Sequence, residues 1–111
     1  MESNIEIKDS SIIFPIDIHG KYIIYKSELK YWNKTKLKRL INDICQNSAV
    51  EYVEKIALLN VIERQLLRDY ESCKDLYEKL GVNKYKKIAV RCLEIAELCR
   101  INGRDKYYGE K

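Results

Sequence analysis

Hydrophobic and polar residues alternate over the first 26 residues of the chain. Ile5 and Ile7 are separated by a glutamate, and apolar residues then take every second position from Ile12 to Ile18. A period of two is typical of a β-strand with one buried face. The pattern therefore predicts a β-meander or hairpin within residues 4–26.

The period changes to that of an amphipathic helix from about residue 28. Between Leu37 and Cys45 the apolar residues recur at i, i+3, i+4, i+7 and i+8, as on a helix with one buried face. The segment 56–62 is apolar almost all round, so we expect it to lie at the centre of the core. Gly81 is placed to end a helix, and a last helix should run from Lys84 to about Ile101.

These patterns predict an α+β fold, with the β-meander or hairpin followed by three to four helices. At 111 residues the chain has the length of one domain. We therefore expect a single domain over 1–111, β-rich at 4–26 and helical at 28–101, with a loose polar tail at 102–111. Ser48 with Glu51 forms a capping-box pattern for the helix that follows residue 48.

The number of helices between residues 49 and 80 is left open by the pattern. Neither glycine nor proline interrupts this stretch, and its apolar residues follow alternating steps of three and four from Leu59 to Leu80. Only Asp69 breaks that heptad-like stripe, so one long helix that folds back after Gly81 as a hairpin is one interpretation. Two shorter helices are the other.

Positive charge is concentrated in two short blocks. The net charge of the chain is +4. In residues 21–40 Glu28 is the single acidic residue among many lysines, and residues 84–91 contain basic residues with no acidic one. If the two blocks meet in space, they form a positive patch that attracts a polyanion. If they lie apart, they are ordinary solvated surface.

The segment from Cys73 to Lys84 resembles the first helix and turn of a helix-turn-helix DNA-binding unit. Its apolar residues before and after the glycine turn match that family at Leu76, Leu80, Gly81 and Val82. The resemblance covers about 20 residues. It departs from the family at two positions, with Tyr77 in place of a small residue and Lys87 in place of an apolar one.

The resemblance implies that the helix after Gly81 is a recognition helix. Its lysines would then contact phosphates or base edges of DNA. Together with the first basic block, the candidate nucleic-acid-binding residues are Lys34, Lys36, Lys38, Arg39, Lys84, Tyr85, Lys86, Lys87 and Arg91. The N-terminal sheet would be a dimerisation surface or a wing-like contact, so a homodimer stays open.

We therefore expect a non-enzymatic DNA-binding protein, a small regulator or packaging-type protein of a phage, plasmid or bacterium. The alternative is a protein-interaction module, an inhibitor or immunity-type protein that masks a partner protein. Nine tyrosines against one phenylalanine fit a protein that binds another macromolecule of either class, because tyrosine is favoured where one end of a ring is buried and the other is wet. The placement of the two basic blocks discriminates between these classes.

The chain has few of the residues that form catalytic or metal-binding sites. His19 is the only histidine, and the four cysteines at positions 45, 73, 92 and 99 contain no closely spaced pair of zinc ligands. We expect no enzyme activity, no metal and no cofactor. The cysteines fall on apolar helical stripes, so we expect buried, reduced thiols. The acidic start of the chain is unlike a signal peptide, and we expect a cytoplasmic protein without a membrane partner.

Overall fold

The computed structural model describes the backbone of residues 6–8, 11–16, 20–48 and 50–106, and the side chains of residues 25–48 and 50–106. Its helical elements follow one another closely along the chain. They are a 310 helix at Lys26–Tyr31, α1 at Lys34–Gln46, α2 at Tyr52–Leu80, α3 at Asn83–Arg100 and a π-helical turn at Ile101–Asp105.

Three antiparallel strands precede the helices in the order β1, β2, β3. They are Glu6–Lys8, Ser11–Ile16 and Gly20–Tyr25. Ile13 of β2 lies opposite Ile23 of β3. The sheet contacts the rest of the described chain chiefly through the 310 helix.

The α+β fold class predicted from the sequence is wrong. The part of the chain with described side chains is all-α, with 89% of its residues in helices. The alternating pattern near the N-terminus predicts a sheet as one layer of the core. A fold class, however, is set by the elements that build the core. The described core consists of residues from the helices and the segments that join them, from Leu29 to Cys99.

Helix α1 has the buried stripe that its sequence predicts, and Asn33 caps its start. The Asn33 side chain accepts a hydrogen bond from the Lys36 N–H at 2.8 Å, which satisfies one of the free amides of the first turn. The apolar stripe of α1 is buried, at Leu37, Leu40, Ile41 and Ile44. The helix ends at Gln46, before Asn47.

Residues 52–80 form one helix of 29 residues, which settles the question that the sequence leaves open. The helix begins at Tyr52 with Glu51 as its N-cap, and no side chain caps it, so the capping box expected at Ser48 does not form. Gly81 ends it in the left-handed region at φ 66°, and its N–H donates to the Tyr77 carbonyl at 2.7 Å. Glycine is favoured there because a Cβ would be strained.

Helices α2 and α3 form an antiparallel hairpin. Glu63 and Leu67 of α2 line a groove with Leu93 and Ala96 of α3, and Lys86 near the start of α3 lies over the Tyr77 ring. The centre of the core lies where the sequence predicts it. The buried residues of that segment are Ile56, Leu58, Leu59 and Ile62.

The chain continues against α2 after α3 ends. Gly103 is buried, and a Cβ on it would lie 3.3 Å from Leu59 Cδ1. Arg104 donates to the Glu63 carboxylate at 2.7 Å. Residues 102–106 therefore differ from the loose tail expected there, and the rest of that prediction, residues 107–111, lies outside the described residues.

Candidate nucleic-acid interface

Two polar contacts join the first basic block to α3, the helix that carries the second. Arg91 of α3 donates from Nη2 to the backbone carbonyl of Lys30 at 2.7 Å. Lys34 at the start of α1 donates from Nζ to the Glu94 carboxylate at 2.5 Å. The two residues of each pair are 60 or 61 positions apart in the sequence. The start of α1 therefore lies beside the middle of α3.

The contacts define one surface, here called the basic face. On α3 it follows steps of three and four residues, which place side chains on one side of a helix. On α1, Lys38 lies one turn after Lys34 and lines a shallow pocket with Leu98 of α3. The basic face consists of Lys34, Lys38, Lys84, Lys87 and Arg91, with Glu94 as the acidic residue among them.

The length of the basic face can be measured along the axis of α3. It runs from Lys84 to the level of Leu98, where Lys38 lies. At 1.5 Å of rise per residue this is about 20 Å. A span of about 20 Å covers roughly six base pairs of duplex DNA at 3.4 Å each. The face is therefore long enough to contact several phosphates at once.

The five basic residues of this face differ in whether they already make contacts within the protein. Lys34 and Arg91 already hold α1 and the 310 helix against α3. The Lys34 hydrogen bond also lowers the pKa of the Glu94 carboxyl below its usual range. Lys38, Lys84 and Lys87 are exposed, and the Lys84 Nζ lies 5.2 Å from the centroid of the neighbouring Tyr85 ring. These three are the cations of the face best placed to meet phosphates.

Four predicted site residues lie elsewhere. Lys36 sits over the Trp32 ring, 4.0 Å from its centroid. Arg39 is exposed and follows Lys36 by three positions, a spacing that puts both on one side of α1. Lys86 lies over the Tyr77 ring at 5.7 Å, on the other side of α3. Tyr85 is half-buried against the core, so its ring is not placed to stack on a base.

The helices on either side of Gly81 lie side by side along most of α3. A helix-turn-helix unit instead crosses two short helices at a steep angle of about 90–120°. Leu76, Leu80 and Val82, the apolar residues of the resemblance, are 37%, 60% and 43% exposed. The arrangement around Gly81 is that of the helical hairpin, so the case for DNA binding rests on the basic face.

A buried polar group lies under the basic face. Asp69 is 7% exposed, and its Oδ1 accepts a hydrogen bond from Gln65 at 3.1 Å. Its Oδ2 and the Nε of Arg91 are buried with no hydrogen-bond partner in the described part of the chain. The signal was visible in the sequence, because Asp69 alone interrupts the apolar stripe of α2, but the site prediction did not include it.

Asp69→Asn should raise the free energy of unfolding at pH 7 by about 1 kcal/mol, because it removes a buried charge whose Oδ2 has no hydrogen-bond partner and keeps the acceptor for Gln65. Burial raises the pKa of Asp69 above 3.8. The folded state therefore binds the proton of Asp69 more tightly than the unfolded state. As pH rises above 3.8, ionisation of Asp69 lowers the free energy of unfolding. Urea unfolding of both proteins between pH 4 and pH 8 measures the effect, and equal stabilities at pH 7 would contradict it.

The cysteines are placed as predicted. Cys73, Cys92 and Cys99 are buried and Cys45 is half-buried, and all four are free thiols. Burial raises the pKa of Cys92 to about 12 and raises that of Cys99 further. A thiol reacts as the thiolate, so these positions should be inert in the folded protein.

Labelling with a thiol reagent at pH 8 should modify Cys45 first, because it is the half-buried thiol. The three buried thiols should react only as fast as the protein unfolds, and all four should react at once in urea. Mass spectrometry after partial labelling identifies the modified residue. Cys92 or Cys99 labelled as fast as Cys45 in the native protein would contradict the placement.

Among the described residues, no group of three or more metal-ligating side chains comes together. None of the helices in that part of the chain has the length and apolar character needed to span a bilayer. No protein-family model matches the chain, and neither the curated proteins nor the solved structures give a match.

Proposed function

We propose that this protein binds DNA without catalysis, through the phosphates. The observation that supports the proposal is the meeting of the two basic blocks on one side of the hairpin. Arg91 reaches the carbonyl of Lys30, and Lys34 reaches Glu94. The contacts hold exposed lysines of both blocks, Lys38 and Lys87, on the same face.

Electrostatics supports contact with the backbone of DNA. Duplex DNA carries one negative charge per about 1.7 Å of its axis, and lysines that neutralise phosphates release bound counterions. The exposed cations of the basic face are lysines, which act as point charges and carry little base discrimination compared with the bidentate arginine pairing. Binding should therefore be nearly independent of sequence. This suits a packaging-type protein or a small regulator of a phage, plasmid or bacterium.

The free thiols of the chain are consistent with a reducing compartment. Four free thiols lie in the described residues, and three of them are buried in the helical core. Reduced cysteines persist in the cytoplasm, whereas secreted proteins commonly pair them. We therefore place the protein and its DNA target in the cytoplasm.

Lysine footprinting tests which side of the hairpin meets DNA. The protein is acetylated briefly with and without a random-sequence duplex, and each lysine is quantified by mass spectrometry. Lys38, Lys84 and Lys87 should be protected by DNA. Lys74 and Lys86 lie beside the rings of Tyr70 and Tyr77 on the other side, and serve as internal controls.

Uniform protection, or none, would contradict the proposal. The alternative, an inhibitor or immunity-type protein that masks a partner protein, does not need a shared basic face. It would replace the DNA proposal if the duplex left Lys38, Lys84 and Lys87 as reactive as before. The footprint therefore distinguishes the two classes in one experiment.

A further inference from the structure

The hairpin has a second surface, on the side of α2 and α3 away from the basic face. A groove of about 360 Å³ runs between the helices and is lined by Leu67, Leu93 and Ala96, with charged residues at one end. Leu67 is 38% and Leu93 43% exposed, and Val90, one turn before Leu93, is 49% exposed. Exposed apolar residues that lie together make this groove a candidate interaction surface.

The groove stays open in the described part of the chain. Helix α1 packs beside another stripe of α3, where Lys34 meets Glu94 and Lys38 approaches Leu98. Steps of 100° per residue put the stripe of Val90 and Leu93 about 90° around α3 from Glu94 and Leu98. A partner in the groove would therefore leave the basic face accessible.

The order of residues along the groove side of α3 indicates the partner. Lys86, Val90, Leu93 and Glu97 follow steps of four, three and four, so they lie on one stripe. From Lys86 to Glu97 the stripe has a base, two apolar residues and an acid, and in the opposite direction it has an acid, two apolar residues and a base. An antiparallel copy of the same stripe would bring Lys86 opposite Glu97 and Val90 opposite Leu93.

The charges cannot satisfy each other within one chain. Lys86 and Glu97 are eleven positions apart, about 16 Å along the helix axis. Within the chain, Lys86 lies over the Tyr77 ring at 5.7 Å, and Glu97 accepts from Arg100 at the long distance of 3.4 Å. A two-fold axis across the middle of the stripe would supply each with an opposite charge. Self-complementarity of this kind is the property of an isologous interface.

We propose that this groove is a homodimer interface in which α3 packs antiparallel to α3 of a second copy. The two hairpins form a four-helix arrangement with their Gly81 turns at opposite ends, and Leu67 and Tyr70 of α2 flank the central contact. The hairpin face, about 27 Å long and about 20 Å wide, buries roughly 1,100 Å² in total, near the lower limit for a specific interface. A dimer of micromolar affinity is therefore expected.

The proposal does not rest on DNA binding. It would place the two basic faces on the outside of the dimer, so each copy could contact its own stretch of duplex. The dimer is measured without DNA, and the DNA affinity of one basic face can be measured on a monomeric variant. Failure of either proposal would therefore be distinguishable from failure of the other.

Sedimentation velocity from about 5 to 200 µM tests the dimer, because this range brackets the expected micromolar constant. The parent should pass from monomer to dimer. Leu93→Glu should weaken association at least roughly tenfold by burying a charge at the centre of the stripe. Leu80→Glu is the matched control, because Leu80 is 60% exposed at the end of the hairpin and lies outside the stripe. Circular dichroism checks that both variants keep their helices.

Charge reversal tests the pairing itself. Lys86→Glu and Glu97→Lys should each weaken self-association roughly tenfold, since like charges would then face each other twice in the dimer. An equimolar mixture of the two variants should dimerise again, because every facing pair in the mixed dimer is opposite in charge. A parent that stays monomeric at about 200 µM overturns the proposal. So does dimerisation unaffected by Leu93→Glu, or a mixture that associates no better than its components.

Discussion

Leu59→Ala should lower the free energy of unfolding by about 2–5 kcal/mol, because it removes a buried side chain and leaves a cavity. Leu59 is fully buried in α2, at the centre of the described core. Its Cδ1 also lies close to the backbone of Gly103, where an added Cβ would be only 3.3 Å away. The substitution therefore loosens both the core and the attachment of the residues after α3.

Urea unfolding followed by far-UV circular dichroism measures this loss. Val53→Ala is the control on the same helix, because Val53 is 74% exposed near the start of α2. The control should change the free energy of unfolding by less than about 0.5 kcal/mol. A loss below about 1 kcal/mol for Leu59→Ala would show that residues 56–62 are not the centre of the core.

Replacing Lys38, Lys84 and Lys87 together with glutamine should weaken DNA binding by roughly 100-fold or more near 0.1 M salt, because each lost phosphate contact is worth several-fold in affinity. The three side chains are exposed, so the fold should persist. Fluorescence anisotropy with a labelled random duplex measures the affinity. The dependence of its logarithm on log salt should flatten by about three units.

A charge-matched variant separates this effect from the change in net charge. Arg64, Arg68 and Lys79 are exposed on the outer side of α2, away from α3. Their joint replacement with glutamine removes the same charge and should reduce the affinity less than roughly fivefold. Equal losses in the two triple variants would show that net charge, and not the basic face, sets the affinity.

The helical elements could be predicted because their signals are local. The apolar stripe of α1 and the C-terminal glycine of α2 depend on residues within a few positions of each other. Burial of Cys73, Cys92 and Cys99 followed from the same helical periodicity. In each case the spacing of residues within one helix determines which side chains are buried.

The basic face and the fold class depend on contacts that a local pattern does not contain. The sequence predicted two basic blocks but not the pairs Lys34–Glu94 and Arg91–Lys30, which join residues about sixty positions apart. It assigned Lys36 and Lys86 to the DNA site, although each lies over an aromatic ring outside the basic face. The N-terminal alternation predicted a fold class for which the described core offers no support.

The salt dependence of DNA binding by the unmodified protein tests the central claim most directly. Phosphate contact through Lys38, Lys84 and Lys87, with the charges of Lys34 and Arg91 beside them, predicts micromolar binding to a random duplex at about 50 mM salt, because non-specific affinity comes from counterion release. The logarithm of the association constant should then fall with log salt with a slope of about −3 to −5, since each contact contributes about −0.9. No binding at about 50 mM salt, or an affinity that does not change with salt, would contradict the account.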